Sequence, residues 1–185
     1  MKHKKYYGFT IVELLIVIVV IGVLAAISVA AYSGIKGKAR DSQRLQDLAS
    51  IQKALELYKV ENGRYPPVVP TAEANGWEVS TSGTFLSRLV ESGTVSAVPT
   101  DPRNSMGSGS AEPRRNGNNW IYFYAYYSAG ASGADPACGA FYVLGASRFD
   151  GVPSNQSYPS SPGFSTPDRN WVSMGAYVTG HYTNC

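Results

Sequence analysis

Histidine and cysteine are scarce in this chain of 185 residues, which has two of each. One histidine is His3 and the other His181, and there is neither a glycine-rich phosphate loop nor a cluster of metal ligands. No catalytic constellation can be assembled from such a set, and no cofactor is expected. Net charge is slight as well, with 16 Lys and Arg against 13 Asp and Glu. Three of the cations, Lys2, Lys4 and Lys5, fall within the first eight residues, so the remainder carries 13 of each sign. A balance of that kind leaves no basic surface excess and excludes dominant nucleic-acid binding. The length supports one membrane helix and a single globular domain.

What the chain does have is FTIVELLIVIVVIGVLAAISVAAY, the 24 residues from Phe9 to Tyr32, with a single charge at Glu13. At about 1.5 Å per residue this helix measures roughly 36 Å, enough to cross a bilayer with some tilt. A carboxylate in such a segment costs on the order of 2.5–3.5 kcal/mol at the bilayer centre and less near the interface, which marks Glu13 as a functional candidate. A secretory signal peptide would place a small-residue cleavage site after the apolar core. Here the order is reversed: the lysines, then Gly8, then the apolar run. Cutting between Gly8 and Phe9 would remove only MKHKKYYG and leave the membrane helix in place. An uncleaved anchor would require neither Gly8 nor Glu13. Lys36, Lys38 and Arg40 flank the far end as densely as the lysines flank the near end, so the positive-inside rule does not set the orientation.

The stretch GFTIVELLIVIVVIGVLAAI, residues 8–27, resembles the N-terminal signature of type IV prepilins, found in type IV pilins and in type II secretion pseudopilins. The resemblance implies cleavage after Gly8 by a prepilin peptidase, N-methylation of Phe9, and polymerisation of the chain with itself through its N-terminal helix. Further partners implied are the pilus assembly platform with its ATPase machinery, and membrane lipid before assembly. It implies a single-pass inner-membrane precursor with a cytoplasmic leader and an extracytoplasmic head, and then an extracellular pilus. Cleavage would leave the Phe9 amine as a cation at a helix N-terminus, where the macrodipole disfavours positive charge. Glu13, one turn on, can neutralise that amine in its own chain or in an incoming subunit, and in the family this pairing sets filament register.

Beyond the membrane, SQRLQDLASIQKALELYKVEN (residues 42–62) places Leu45, Leu48, Ile51, Leu55 and Tyr58 at spacings of three and four, an amphipathic helix. Arg44, Asp47, Lys53, Glu56 and Lys59 are expected on its solvated faces. Gly63 and Pro66-Pro67 end it. Gly34 and Gly37 are candidate points for a bend or a melted turn, or for close backbone packing. ALELYKVENGRYPP and VPTDPRN also resemble pilins and major pseudopilins. After Pro66 the texture of Gly, Ser, Pro and aromatics predicts short strands: 120–127, 140–149 and a third through 171–178, with a short helix at 84–92. In the first strand Ile121, Phe123 and Ala125 alternate with Trp120, Tyr122, Tyr124 and Tyr126. One face is expected to cover the helix and the other to carry polar-tipped rings. Residues 150–170 form a long loop without periodicity. The predicted fold class is α+β, a pilin fold in which a long N-terminal helix packs on a small antiparallel sheet. Its expected division is leader 1–8, filament-core helix 9–32, amphipathic half 33–62 and β-rich head 63–185.

Cys138 and Cys185 both follow the membrane helix, and on an extracytoplasmic side they would form a disulfide; two independent thiols are the alternative. Asp135, Asp150 and Asp168 lie in loops and are candidates for a calcium site of the kind major pseudopilins carry, but the glycine- and aspartate-rich pattern of those proteins is missing and ordinary turn aspartates are the better reading. Asn155-Gln156-Ser157 is a glycosylation sequon. The reading that emerges is a structural, non-enzymatic subunit of a type IV pilus. A pseudopilin of a secretion or DNA-uptake system is the alternative, and a membrane-tethered enzyme or receptor a rival of another class.

Overall fold

Helix α1 runs without interruption from Ile11 to Asn62 in a computed structural model that describes residues 8–69, 76–107, 118–131 and 133–185. The chain divides into two units, one up to Lys38 and one from Ala39 to Cys185. Gly34 and Gly37 were candidates for a melted turn, yet both sit inside helical backbone. Each glycine weakens a helix by only about 1 kcal/mol, too little to interrupt a ladder that is continuous on both sides. The helix closes at Gly63, whose φ of 73° takes the left-handed cap position while its N–H donates to the Lys59 carbonyl at 2.8 Å.

The second unit builds a four-stranded antiparallel sheet in the order β1-β2-β3-β6, from β1 (Glu78–Val79), β2 (Tyr122–Tyr127), β3 (Phe141–Ala146) and β6 (Tyr177–Tyr182). Between β3 and β6 lies a small hairpin of β4 (Ser165–Thr166) and β5 (Arg169–Asn170). Helix α2 (Ser87–Glu91) occupies part of the predicted 84–92 segment. Its start is held by the buried Glu78, which accepts the Leu86 N–H at 2.7 Å.

The third strand lies further along than its β-rich texture predicts. Trp171–Met174 forms a 3-10 turn, and pairing begins only at Tyr177, in register from Ala146↔Tyr177 to Phe141↔Tyr182. Asn170 accepts the Val172 N–H at 2.9 Å and caps the start of that turn, while the Trp171 indole donates to Thr166 Oγ1 at 3.2 Å. A buried, hydrogen-bonded tryptophan outweighs β propensity here.

Both faces of the sheet are buried, and the faces are the reverse of the expectation. Tyr122, Tyr124, Tyr142 and Leu144 pack against Leu48, Ile51, Leu55 and Tyr58 of α1. Ile121, Phe123, Phe141 and Val143 form a second core on the opposite face with Trp77, Trp171 and Val178. The tyrosines can face the helix because their hydroxyls find partners there: Tyr122 donates to Asp47 at 2.8 Å and Tyr124 to the Pro66 carbonyl at 2.7 Å. In the second core the Phe123 ring occupies the space above β3, where a Cβ on Gly145 would fall 2.5 Å from it. That contact demands glycine in mid-strand.

Candidate functional site

The N-terminal junction is defined by what surrounds it. A Cβ added at Gly8 would meet nothing within 4 Å, so nothing in the fold requires glycine there. Phe9 is 87% exposed. Thr10 then opens the helix, and its pairing with Glu13 is reciprocal. The Thr10 N–H donates to Glu13 Oε2 at 2.8 Å and the Thr10 hydroxyl to the same oxygen at 2.7 Å. The Glu13 N–H returns a bond to Thr10 Oγ1 at 3.3 Å. This is a capping box, which satisfies helix N–H groups that would otherwise be orphaned. Thr10 was missed as a partner of Glu13, although its signal, a threonine three residues before a glutamate at the head of an apolar run, stands in the sequence. Residues 1–7 of the basic leader lie outside the described residues.

From Ile11 to Ser28 the helix has a mean hydropathy of 3.0 and buries none of that span inside the chain. It is long and apolar enough to cross a membrane. Side chains from Leu14 to Leu24 offer a continuous apolar surface, far beyond the scattered exposed apolar residues of an ordinary soluble surface.

Near the start of the second unit, Arg44 is not on a solvated face but wholly buried. It donates to Asp101 through Nε at 2.8 Å and Nη2 at 3.2 Å, and through Nη1 to Asp41 and Asp150, each at 2.8 Å. Asp150 also receives Arg40 and Arg103. Asp41 in turn accepts the N–H groups of Asp150 at 2.8 Å and Gly151 at 2.7 Å. Burial pushes the Asp150 carboxyl up, but the hydrogen bonds from Arg40 and Arg44 outweigh it and hold the group at about 2. The Arg44 guanidinium lies 4.9 Å from the Trp120 ring centre. This cluster fastens the 40–44 turn of α1 to the 101–103 connector and the 149–151 loop, so Asp150 is a structural ion-pair partner rather than a spare loop carboxylate. Apart from Asp41, nothing local announces the burial of Arg44, since its other partners, Asp101 and Asp150, lie 57 and 106 residues away. Asp47 and Glu56, also expected in solvent, accept the Tyr122 and Tyr65 hydroxyls, each at 2.8 Å.

Cys138 and Cys185 are joined in a disulfide, with Cα atoms 5.1 Å apart. The Asn184 N–H donates to the Cys138 carbonyl at 3.1 Å, so the bond ties the end of edge strand β6 to the approach to β3. Asp135 accepts the Ala137 N–H at 2.8 Å as a turn aspartate does. Among the described residues no group of three or more His, Cys, Asp or Glu could hold a metal ion.

A family model described as the prokaryotic N-terminal methylation motif matches residues 3–29. Type II secretion system core protein G of Escherichia coli (strain K12) is 34% identical over 98 residues, 53% of this chain and 67% of that protein. The Klebsiella pneumoniae protein of the same name is 34% identical over 102 residues, covering 55% of this chain and 72% of its own. The chain belongs to the type IV pilin-like family. Its similarity to the core protein G of Aeromonas hydrophila, 38% over 66 residues, spans 46% of that protein. The chain therefore matches about half the length of some relatives and two thirds or more of others. No solved structure matches it. As in the pilin fold, an N-terminal apolar helix continues into a long helix that packs on a small antiparallel sheet.

Proposed function

We infer that this pilin-like chain is a pseudopilin, the repeating subunit of a type II secretion filament. In this reading a prepilin peptidase cuts after Gly8, Phe9 is N-methylated, and the apolar helix moves from the inner membrane into a filament core of identical helices. The observation that carries it is the wholly unburied Ile11–Ser28 span behind a glycine for which the fold has no use. The span needs an apolar partner outside the chain, lipid first and sibling helices afterwards. The glycine suits a protease that must bring its carboxylates close to the scissile bond. The relatives, named as secretion-system core components, support a pseudopilus over a surface pilus.

Glu13 acts in two settings. In the precursor its carboxylate is engaged by its own helix start through Thr10. After cleavage the Phe9 amine is a neighbouring cation, and Glu13 of one subunit can neutralise the amine of the next as helices pack. The Cys138–Cys185 bond favours a second reading, a surface pilus, whose subunit must survive outside the cell.

The deciding experiment replaces Gly8 with leucine and follows the N-terminus by mass spectrometry. The variant is expected to keep its eight-residue leader and enter no filament, while the native chain begins at N-methyl-Phe9. Normal processing of Gly8→Leu defeats the prepilin reading. Filaments sheared from wild-type cells at native expression favour the pilus over the pseudopilus.

A further inference from the structure

Cys138 and Cys185 are brought together by groups other than their sulfur atoms. β3 and β6 pair in register over six residues each, from Ala146↔Tyr177 to Phe141↔Tyr182. Beyond that ladder the Ala140 carbonyl accepts both the Thr183 N–H at 2.7 Å and the Thr183 hydroxyl at 2.9 Å. One residue further the Asn184 N–H reaches the Cys138 carbonyl, and Cys185 follows directly. On the other side a turn fixes Cys138. The Asp135 carbonyl accepts the Cys138 N–H at 3.1 Å and the Gly139 N–H at 3.0 Å, while the Asp135 carboxylate takes the Ala137 N–H. Gly139, at a φ of 76°, then redirects the chain toward β3. None of these bonds involves sulfur. The ladder and the turn by themselves set the Cα atoms 5.1 Å apart, inside the range of about 4.4–6.8 Å that a disulfide requires.

In an unfolded chain the same two residues are separated by 47 positions. The chain entropy lost in closing a loop of that length corresponds to roughly a thousandfold in the effective concentration of one thiol at the other. The fold also treats the two side chains differently, for Cys185 is exposed and Cys138 half-buried. Thiol–disulfide exchange depends on access, so an external disulfide meets the exposed thiol first.

We propose that the β-rich head folds before it is oxidised, and that Cys185 is the point at which an external disulfide enters. The Cys185 thiolate attacks one sulfur of the oxidant's disulfide, expels the other as a thiolate and forms a mixed disulfide. The Cys138 thiolate then attacks Cys185 Sγ and displaces the second oxidant sulfur. Two cysteine thiols are thereby oxidised to one bridge and one external disulfide is reduced to two thiols. The two protons lost by the cysteines pass through water to the oxidant's thiolates. The reaction that supplies the finished head is therefore a two-electron exchange with a disulfide-carrying oxidant that acts on a folded strand end. This order holds for a pilus and for a pseudopilus alike.

The test uses the full-length chain in detergent, reduced with dithiothreitol and then freed of it. The reduced chain should keep its native tryptophan fluorescence and slow amide exchange in β2 and β3. Brief treatment with limiting iodoacetamide, followed by peptide mapping, should find Cys185 alkylated roughly tenfold faster than Cys138. With oxidised glutathione as the oxidant, closure of the bridge from the glutathione adduct should be roughly a thousandfold faster in native buffer than in concentrated guanidinium chloride. A reduced chain that is unfolded, and regains its fluorescence only on oxidation, overturns the proposal, because the bond then precedes the fold. Alkylation of Cys138 as fast as that of Cys185 overturns it as well, since the entry point is then not set by exposure. So does closure that is no faster in native buffer than in denaturant, because the ladder and the turn would then not be what brings the thiols together.

Discussion

Arg44 and Asp101 meet as a two-pronged ion pair, Nε to Oδ2 at 2.8 Å and Nη2 to Oδ1 at 3.2 Å, with both side chains completely buried. The planar guanidinium suits this geometry, since its remaining donors reach Asp41 and Asp150 without strain. One residue of α1 thereby positions two loops that are otherwise remote from it.

Arg44→Met should destabilise the head by about 3–5 kcal/mol, because it leaves buried carboxylates without their cation. Arg44→Lys keeps the charge but loses the fork, and should fall between that variant and the wild type. Chemical denaturation of the disulfide-bonded protein, followed by tryptophan fluorescence, gives both numbers. An Arg44→Met head as stable as the wild type would show that the cluster contributes nothing net.

Acid should weaken the same cluster within a defined window. The Asp150 carboxyl is held at about 2 in the folded chain, below its ordinary 3.8. A depressed carboxylate contributes stability above its unfolded pKa and loses it as pH falls through the folded one. Roughly 2 kcal/mol should therefore disappear between pH 4 and about pH 2. Thermal melts at pH 6 and pH 2.5, on the wild type and on Asp150→Asn, measure it: the variant should start lower and lose less.

Removing the disulfide with Cys138→Ser and Cys185→Ser should lower stability by up to roughly 4 kcal/mol, given a closed loop of 47 residues. The loss should concentrate in β6, the edge strand, and appear as faster amide exchange from Tyr177 to Tyr182. Uniform exchange across the sheet would contradict that placement.

Glu13→Gln separates the two tasks assigned to Glu13. Glutamine can still accept from Thr10, so the helix cap survives and cleavage after Gly8 should continue. The charge is gone, however, and the Phe9 amine would enter an apolar core unpaired, at a cost of about 3–5 kcal/mol per subunit. Filaments should collapse while processed monomer accumulates in the membrane. Thr10→Val should do the opposite, weakening the cap by about 1 kcal/mol and keeping the charge. Wild-type filaments from Glu13→Gln would leave capping as the whole role of that residue.

Local pattern made the long helix of this protein legible. Spacings of three and four from Leu45 to Tyr58 placed the core face of α1, because a helix presents such positions on one side whatever surrounds it. Gly63 marked its end for the same local reason. The Thr10–Glu13 cap could likewise have been read from the sequence, since a threonine three residues before a glutamate is a local signal.

The sequence by itself determined that an apolar helix leads into an amphipathic one ending at Gly63, and that short aromatic strands follow. Each of these depends on neighbours within a few residues. Only the tertiary structure decided that Arg44 is buried, that the tyrosine face of β2 covers the helix, and that Trp171 leaves the sheet for a second core. In all three the outcome depends on groups far along the chain: Asp101 and Asp150 for Arg44, Asp47 and Pro66 for the tyrosine hydroxyls, Thr166 for the indole. A polar group can be buried wherever the fold supplies its partner, and the pattern of a segment does not record which distant partner will arrive.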